Sequence, residues 1–240
     1  MHITPIKYNN DYNKASQNKL SFGHGNESFW KSDYSTKDKW IVAGTTALGV
    51  TGSLLAMAKI QGYKLKPKNF INYLKNADFL FKEIVAMGIG TCLGGLAGGY
   101  IIDKDLQNRK AKRRESVMQI GNITIPIGTV AATNLLCDKL KVSKNKAKGQ
   151  AIRTVSCLGA IVAGIYLANF AMNKLSNVLF KNKNQERDVK ATDLAPHFDD
   201  VLASAKYVAP KSQVVHYVSR LVPFALMVAG NEVGNKKANY

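Results

Sequence analysis

The densest group of acid–base and metal-capable side chains in this 240-residue chain is Asp193, His197, Asp199 and Asp200, in the run Asp193-Leu-Ala-Pro-His-Phe-Asp-Asp. Carboxylates and an imidazole at that spacing could hold a divalent ion or move a proton at a lipid headgroup. The same residues also spell a helix start. Asp193 serves as the cap, Pro196 fits the first turn, Asp199 and Asp200 suit the positive end, and Phe198, Val201, Leu202 and Ala205 line one apolar face. The partners that would complete a site do not stand nearby, so capping accounts for the cluster without chemistry.

A second constellation lies between Ser116 and Cys137, an uncharged block that contains Gln119, Asn122, Thr124, Pro126, Thr129 and Asn134. Polar side chains and a helix break are tolerated at membrane depth only where protein or a water-filled cavity surrounds them. One reading is therefore a re-entrant or discontinuous helix lining a cavity, with Arg220 as a candidate charge partner. The other is a kinked helix buried in a bundle, since proline is common in membrane helices. Pro126 is expected to break or bend the helix either way.

The remaining reactive types are dispersed. Cys92, Cys137 and Cys157 each lie inside an apolar block, without close spacing, and are expected to pack as small hydrophobes rather than to form disulfides or bind zinc. His2, His24, His197 and His216 have no second ligand at metal spacing. Gly90, Gly94, Gly95, Gly98 and Gly99 imitate a dinucleotide-binding loop, but no strand precedes them and no acidic residue follows at the ribose position. Neither a metal nor a cofactor is expected. The glycines fall four apart in overlapping pairs, which frees a helix face of side-chain bulk for another backbone to approach.

The elements that hold these residues follow from the segregation of the composition. Hydrophobic residues make up 46% of the chain, yet mean hydropathy is -0.14, because apolar residues gather into long uncharged blocks with lysines between them. The expected fold class is all-α, a polytopic helical membrane protein with four to five membrane segments and one or two interfacial amphipathic helices. The segments fall at about 40–59, 84–102, 116–137 (re-entrant in one reading), 154–172 and 214–230. The last holds His216, Arg220 and Pro223, and either spans or lies in the interface. After Pro67, the residues Phe70, Ile71, Leu74, Ala77 and Phe81 share one face of a helix expected to lie on the bilayer. Cys92-Leu-Gly-Gly echoes Cys157-Leu-Gly-Ala, as a duplicated hairpin would, although two glycine- and leucine-rich spans align this well by chance. Residues 1–39 read as a polar flexible tail without a cleaved signal peptide, and 40–240 as a single membrane domain.

The formal charge of +18 raises nucleic acid as a partner. Arg109, Lys110, Lys112, Arg113 and Arg114, and the stretch from Lys139 to Lys148, instead sit directly beside apolar blocks, as loops facing anionic headgroups do. No zinc motif, RNP-like aromatic run or helix-turn-helix pattern accompanies them, so no nucleic-acid partner is expected. If every block spans, the two basic stretches fall on opposite sides and the positive-inside bias nearly vanishes. A re-entrant block at 116–137 would bring both into the cytoplasm. The overall expectation is a multi-pass component of the plasma (cytoplasmic) membrane, non-enzymatic, which packs or self-associates as a homo-oligomer. A small-solute or ion transporter built on the Pro126 region, and an enzyme acting on headgroups through Asp193, His197, Asp199 and Asp200, are the alternatives.

Overall fold

A computed structural model describes Tyr34 to Ala238, except residues 65, 78, 181–196, 198–200, 202–203, 207 and 210–211. The described chain is all-α, and five helical segments are long and apolar enough to cross a membrane. Asp193, Asp199 and Asp200 lie outside the described residues, and of that cluster only His197 is placed.

The first helix, α1, spans Thr36–Ile60. It begins a turn before the uncharged block because the Ser35 hydroxyl accepts the Asp38 N–H at 3.2 Å, so residues 36–39 belong to the helix and not to a tail. Gly62, at φ 85°, ends it in the left-handed region that glycine enters without strain. α2 covers Pro67–Asn76, with proline in its first turn. Its buried residue is Tyr73, set against the rings of Tyr63 and Phe70 at 5.3 and 6.2 Å, while Ile71 is exposed. The expected Phe70–Phe81 face is therefore not formed: the helix stops at Asn76, and Phe81 opens the next one.

α3, Phe81–Ile102, runs antiparallel to α1 and is the hub of the bundle, touching α1, α4 and the last helix. α4, Leu106–Lys139, is capped by Asp105, whose carboxylate accepts the Gln107 N–H at 2.7 Å. Its 34 residues extend about 51 Å. Two expectations change here. The run from Arg109 to Arg114 is helix, not loop, and the helix continues through Pro126 without a break or a reversal between Ser116 and Cys137, so a re-entrant course is not what the backbone follows. The proline removes the N–H that would bond the Asn122 carbonyl, but tight packing holds the helix together there. A Cβ on Gly164 would lie 2.6 Å from Pro126 Cα, and the Thr129 hydroxyl is 2.7 Å from the Pro126 carbonyl and 2.8 Å from that of Ala160.

α5, Ala147–Phe180, folds back along α4 and packs chiefly on it. Val155, Leu158, Val162, Tyr166, Phe170 and Val178 are left exposed on its outer side. α6 (Gln213–Val218), a 3-10 turn (Ser219–Leu221) and α7 (Val222–Asn235) complete the chain. α5 and α7 both finish at the end of the bundle where α3 ends: Ser176 meets Arg114, and Lys236 meets Lys112.

The six glycines of α3 divide among three neighbours, with Gly88 facing Ile123 of α4. A Cβ at Gly90 would lie 2.5 Å from the Gly49 carbonyl, one at Gly94 3.0 Å from Thr46 Cα and one at Gly98 2.9 Å from Val42 Cα, all on α1. At Gly95 and Gly99 it would reach Gly230 and Gly234 of α7, at 2.6 and 2.8 Å. Gly159, the counterpart of Gly94 in the echo between blocks, has open space around it.

Candidate functional site

α4 folds back along α3 across the short corner Asp103–Asp105. Phe81 packs on Gly128, Ile123 on Gly88, and Lys112 on Gly99, so the charged first turns of α4 lie beside the apolar final turns of α3. That register makes a polar site inside the bundle. Lys112 is fully buried, 0% exposed, and its stem fills the space left by Gly99, where a Cβ would come within 2.7 Å of Lys112 Cδ. Its ammonium donates to the Lys236 carbonyl at 2.6 Å and the Tyr34 hydroxyl at 2.9 Å and forms an ion pair with the Asp103 carboxylate at 3.6 Å. The Tyr34 hydroxyl in turn donates to Asp103.

Burial pulls the Asp103 carboxyl upward, but the bonds from Tyr34 and the Asp105 N–H, with the Lys112 charge, outweigh it and hold the group below the usual carboxylate range. Burial, then the bond to Asp103, pushes the Tyr34 hydroxyl up. Arg109 completes this end, donating to the carbonyls of Tyr100 and Asp103 at 3.0 and 2.9 Å, where a cation suits the C-terminus of α3.

Two turns deeper, the Gln119 amide donates to Glu115 at 2.9 Å and to Glu232 of α7 at 2.8 Å. Lys236 approaches Glu115 at 3.9 Å. Asn122, 7% exposed, lies on the same face of α4, and its Oδ1 accepts no hydrogen bond. Thr124 bonds back to the Ile120 carbonyl at 2.7 Å.

At the other end of α4, Arg153 is 1% exposed. It donates to Asn134 Oδ1 at 2.8 Å, to Asp138 at 2.6 Å, and to the Val142 carbonyl at 2.7 and 3.1 Å from two nitrogens. Lys144 shares Asp138 at 3.0 Å, and Lys141 turns the chain at φ 55°. Asn134 is thereby engaged in closing the α4–α5 hairpin.

The six residues singled out as cavity-lining are not gathered at one place. Gln119 and Asn122 share the α4 face beside Glu115, Pro126 meets Gly164, and Asn134 belongs to the hairpin. Arg220 bonds the Lys75 carbonyl of α2 and sits 2.7 Å from His216 Nε2, so its bonds go to the corner between α2 and α6. Lys112, Asp103, Glu115, Glu232 and Arg153 are absent from the sequence-based candidates. A signal existed: positions 112, 115, 119, 122 and 126 follow a helical period straight out of the basic run. Among the described residues no group of three or more His, Cys, Asp or Glu could hold a metal ion.

As chemistry, these groups act mainly on one another. An ammonium bonded to a carbonyl and a hydroxyl and paired with a carboxylate, and a guanidinium bound to a carboxylate, an amide and a carbonyl, close the protein on itself. Comparison with protein-family models, curated proteins and solved structures gives no match.

Proposed function

We propose that the chain is a non-enzymatic, multi-pass component of the plasma membrane that works by helix packing and lateral self-association. The observation that carries this reading is α5, a 34-residue helix packed chiefly on one neighbour, whose outer face runs apolar from Val155 to Phe170. In lipid such a face gains nothing from burial alone, but it meets a second copy through close packing, and the open Gly159 near its start admits a neighbouring backbone. The engagement of the buried charges with one another supports a role without turnover.

Single cysteines at Val155, Leu158, Val162 and Tyr166, in a chain otherwise free of cysteine, test it. Self-association through α5 predicts disulfide-linked dimers that rise and fall with the helical period, and a mass in nanodiscs of at least two chains. A single-chain mass with no crosslinks at any of the four positions would sink the proposal.

A second reading, ion transport, is favoured by one observation: two carboxylates share the Gln119 amide, close to the buried, unpartnered Asn122 Oδ1 on the same helix face. It predicts cation or proton flux in reconstituted vesicles that Glu232→Gln removes while the melting temperature is kept. Vesicles no leakier than protein-free ones would eliminate it.

A further inference from the structure

We propose that the tip of the α4–α5 hairpin binds anionic phospholipid headgroups and so sets which way the bundle faces. The proposal rests on the membrane reading of the fold and adds a partner and an orientation to it.

The two basic stretches that flank α4 differ in what their charges do. At the Lys112 end, Arg109, Lys112, Arg114 and Lys236 are spent inside the protein, on carbonyls, on Ser176 and on the carboxylates of Asp103 and Glu115. Asp38, Asp105 and Glu232 add further negative charge there. At the hairpin tip Lys139, Lys141, Lys146 and Lys148 are exposed and make no ion pair among the described residues. The carboxylate at the tip among the described residues, Asp138, is taken by Arg153 and Lys144.

The same end of the bundle carries Lys59, Lys64, Lys66, Lys68, Lys75 and Lys82, all exposed, around the ends of α1 and α2 and the start of α3. Gln61 bonded to Glu83 at 3.0 Å places these ends together. Exposed lysines are therefore more numerous at this end than at the other, where Lys37, Lys104, Lys110 and Arg113 are exposed close to the carboxylates of Asp38, Asp103 and Asp105.

The tip is also amphipathic in the sense a headgroup layer requires. Leu140, between Lys139 and Lys141, is 68% exposed, and Leu135 and Leu136 of α4 and Ile152 and Val155 of α5 are exposed within the turns next to the tip. α4 continues 11 residues past Gly128, which packs on the first residue of α3, so the tip stands about 16 Å beyond α3. Leucines there suit acyl chains, and the lysines beside them suit phosphates. Buried Arg153 bonds both sides of the turn and holds the lysines in a fixed arrangement rather than on a loose loop.

The test uses the full chain in detergent micelles and a fluorescent phosphatidylglycerol, with phosphatidylcholine as the uncharged control. Two variants are compared, one at the tip (Lys139→Gln, Lys141→Gln, Lys146→Gln, Lys148→Gln) and one at the opposite end (Lys37→Gln, Lys104→Gln, Lys110→Gln, Arg113→Gln). The proposal predicts that the wild type and the opposite-end variant prefer phosphatidylglycerol, and that the tip variant, melting at the wild-type temperature, binds it at least about tenfold more weakly. Equal binding by both variants, or a loss confined to the opposite end, would overturn it. Displacement of the lipid by a soluble polyanion such as an oligonucleotide would also overturn it, in favour of a general polyanion surface. Release of the protein from membranes by alkaline carbonate would instead sink the underlying membrane reading. Retention there without any preference for phosphatidylglycerol would sink this proposal alone.

Discussion

At one end of α4 the buried Lys112 joins residues 78 and 124 positions away in sequence; at the other, the buried Arg153 reaches no further than 19. Both are cations in a low-dielectric setting that must be paired to be tolerated. Arg153 closes a hairpin whose strands of helix are already neighbours, so little loop entropy opposes it. Lys112 closes the whole bundle, tying the start of α1, the α3–α4 corner and the end of α7. The comparison teaches that one buried charge organises a local unit, while the other depends on the rest of the fold being in place.

The largest effect that would break this contrast comes from prying α7 away. Gly95→Leu drives a side chain into the Gly230 backbone, and a loss of about 4 kcal/mol is expected in thermal or denaturant unfolding. Hydrogen exchange should then rise in α7 and at the start of α1 but stay low around Arg153. Asp103→Ala removes the carboxylate from a fully buried ammonium and should cost about 3 kcal/mol, with the same long-range exchange pattern. Asn134→Ala leaves one Arg153 nitrogen without its acceptor and should cost about 1–2 kcal/mol, its exchange changes confined to residues 134–153. If Asn134→Ala loosened α7 as much as Asp103→Ala does, the two ends would not be separate units.

The smallest effects concern pH and sharpen the comparison through groups outside the spans. The folded Asp103 carboxyl titrates below its unfolded value, so its contribution is present above the ordinary carboxylate range and is lost as pH falls through the folded value. Acid should therefore loosen the Lys112 end first, and Asp103→Asn should flatten that dependence. Tyr73 of α2 is pushed up to about 12, by burial first and then by the Glu83 charge. Its contribution is complete below pH 10 and is lost as pH rises toward 12, so alkali should loosen α2, and Tyr73→Phe should remove that loss.

Much of the helical layout is visible in the sequence, because uncharged blocks of membrane length bounded by lysines leave few alternatives. The α3 glycines are legible for the same reason, since spacing alone puts Gly90, Gly94 and Gly98 on one line and Gly95 and Gly99 on another. The course of α4 is not. A proline and several amides look like a break when neighbours are unknown, and the packing of Gly164 and Thr129 that carries the helix through Pro126 is tertiary information. The Lys112 site escapes for a related reason: a run of arginines and lysines looks solvated unless the packing of the first turns of α4 against Gly99 and the end of α7 is known. Asn134 shows the reverse error. Its polarity suggests a cavity, whereas its partner Arg153 stands just beyond the apolar block and supplies the missing bond.

The most direct test of the continuous, membrane-crossing α4 labels single cysteines at Lys110 and Ser143 with a membrane-impermeant reagent in an intact bacterial host. The native Cys92, Cys137 and Cys157, all buried, are replaced beforehand. Labelling of Lys110→Cys in intact cells, with Ser143→Cys reacting only after permeabilisation, is the predicted result. The reverse pattern would keep the continuous helix and overturn the lipid-facing orientation of the hairpin tip. Equal accessibility of the two positions in intact cells would contradict a membrane-crossing α4 altogether.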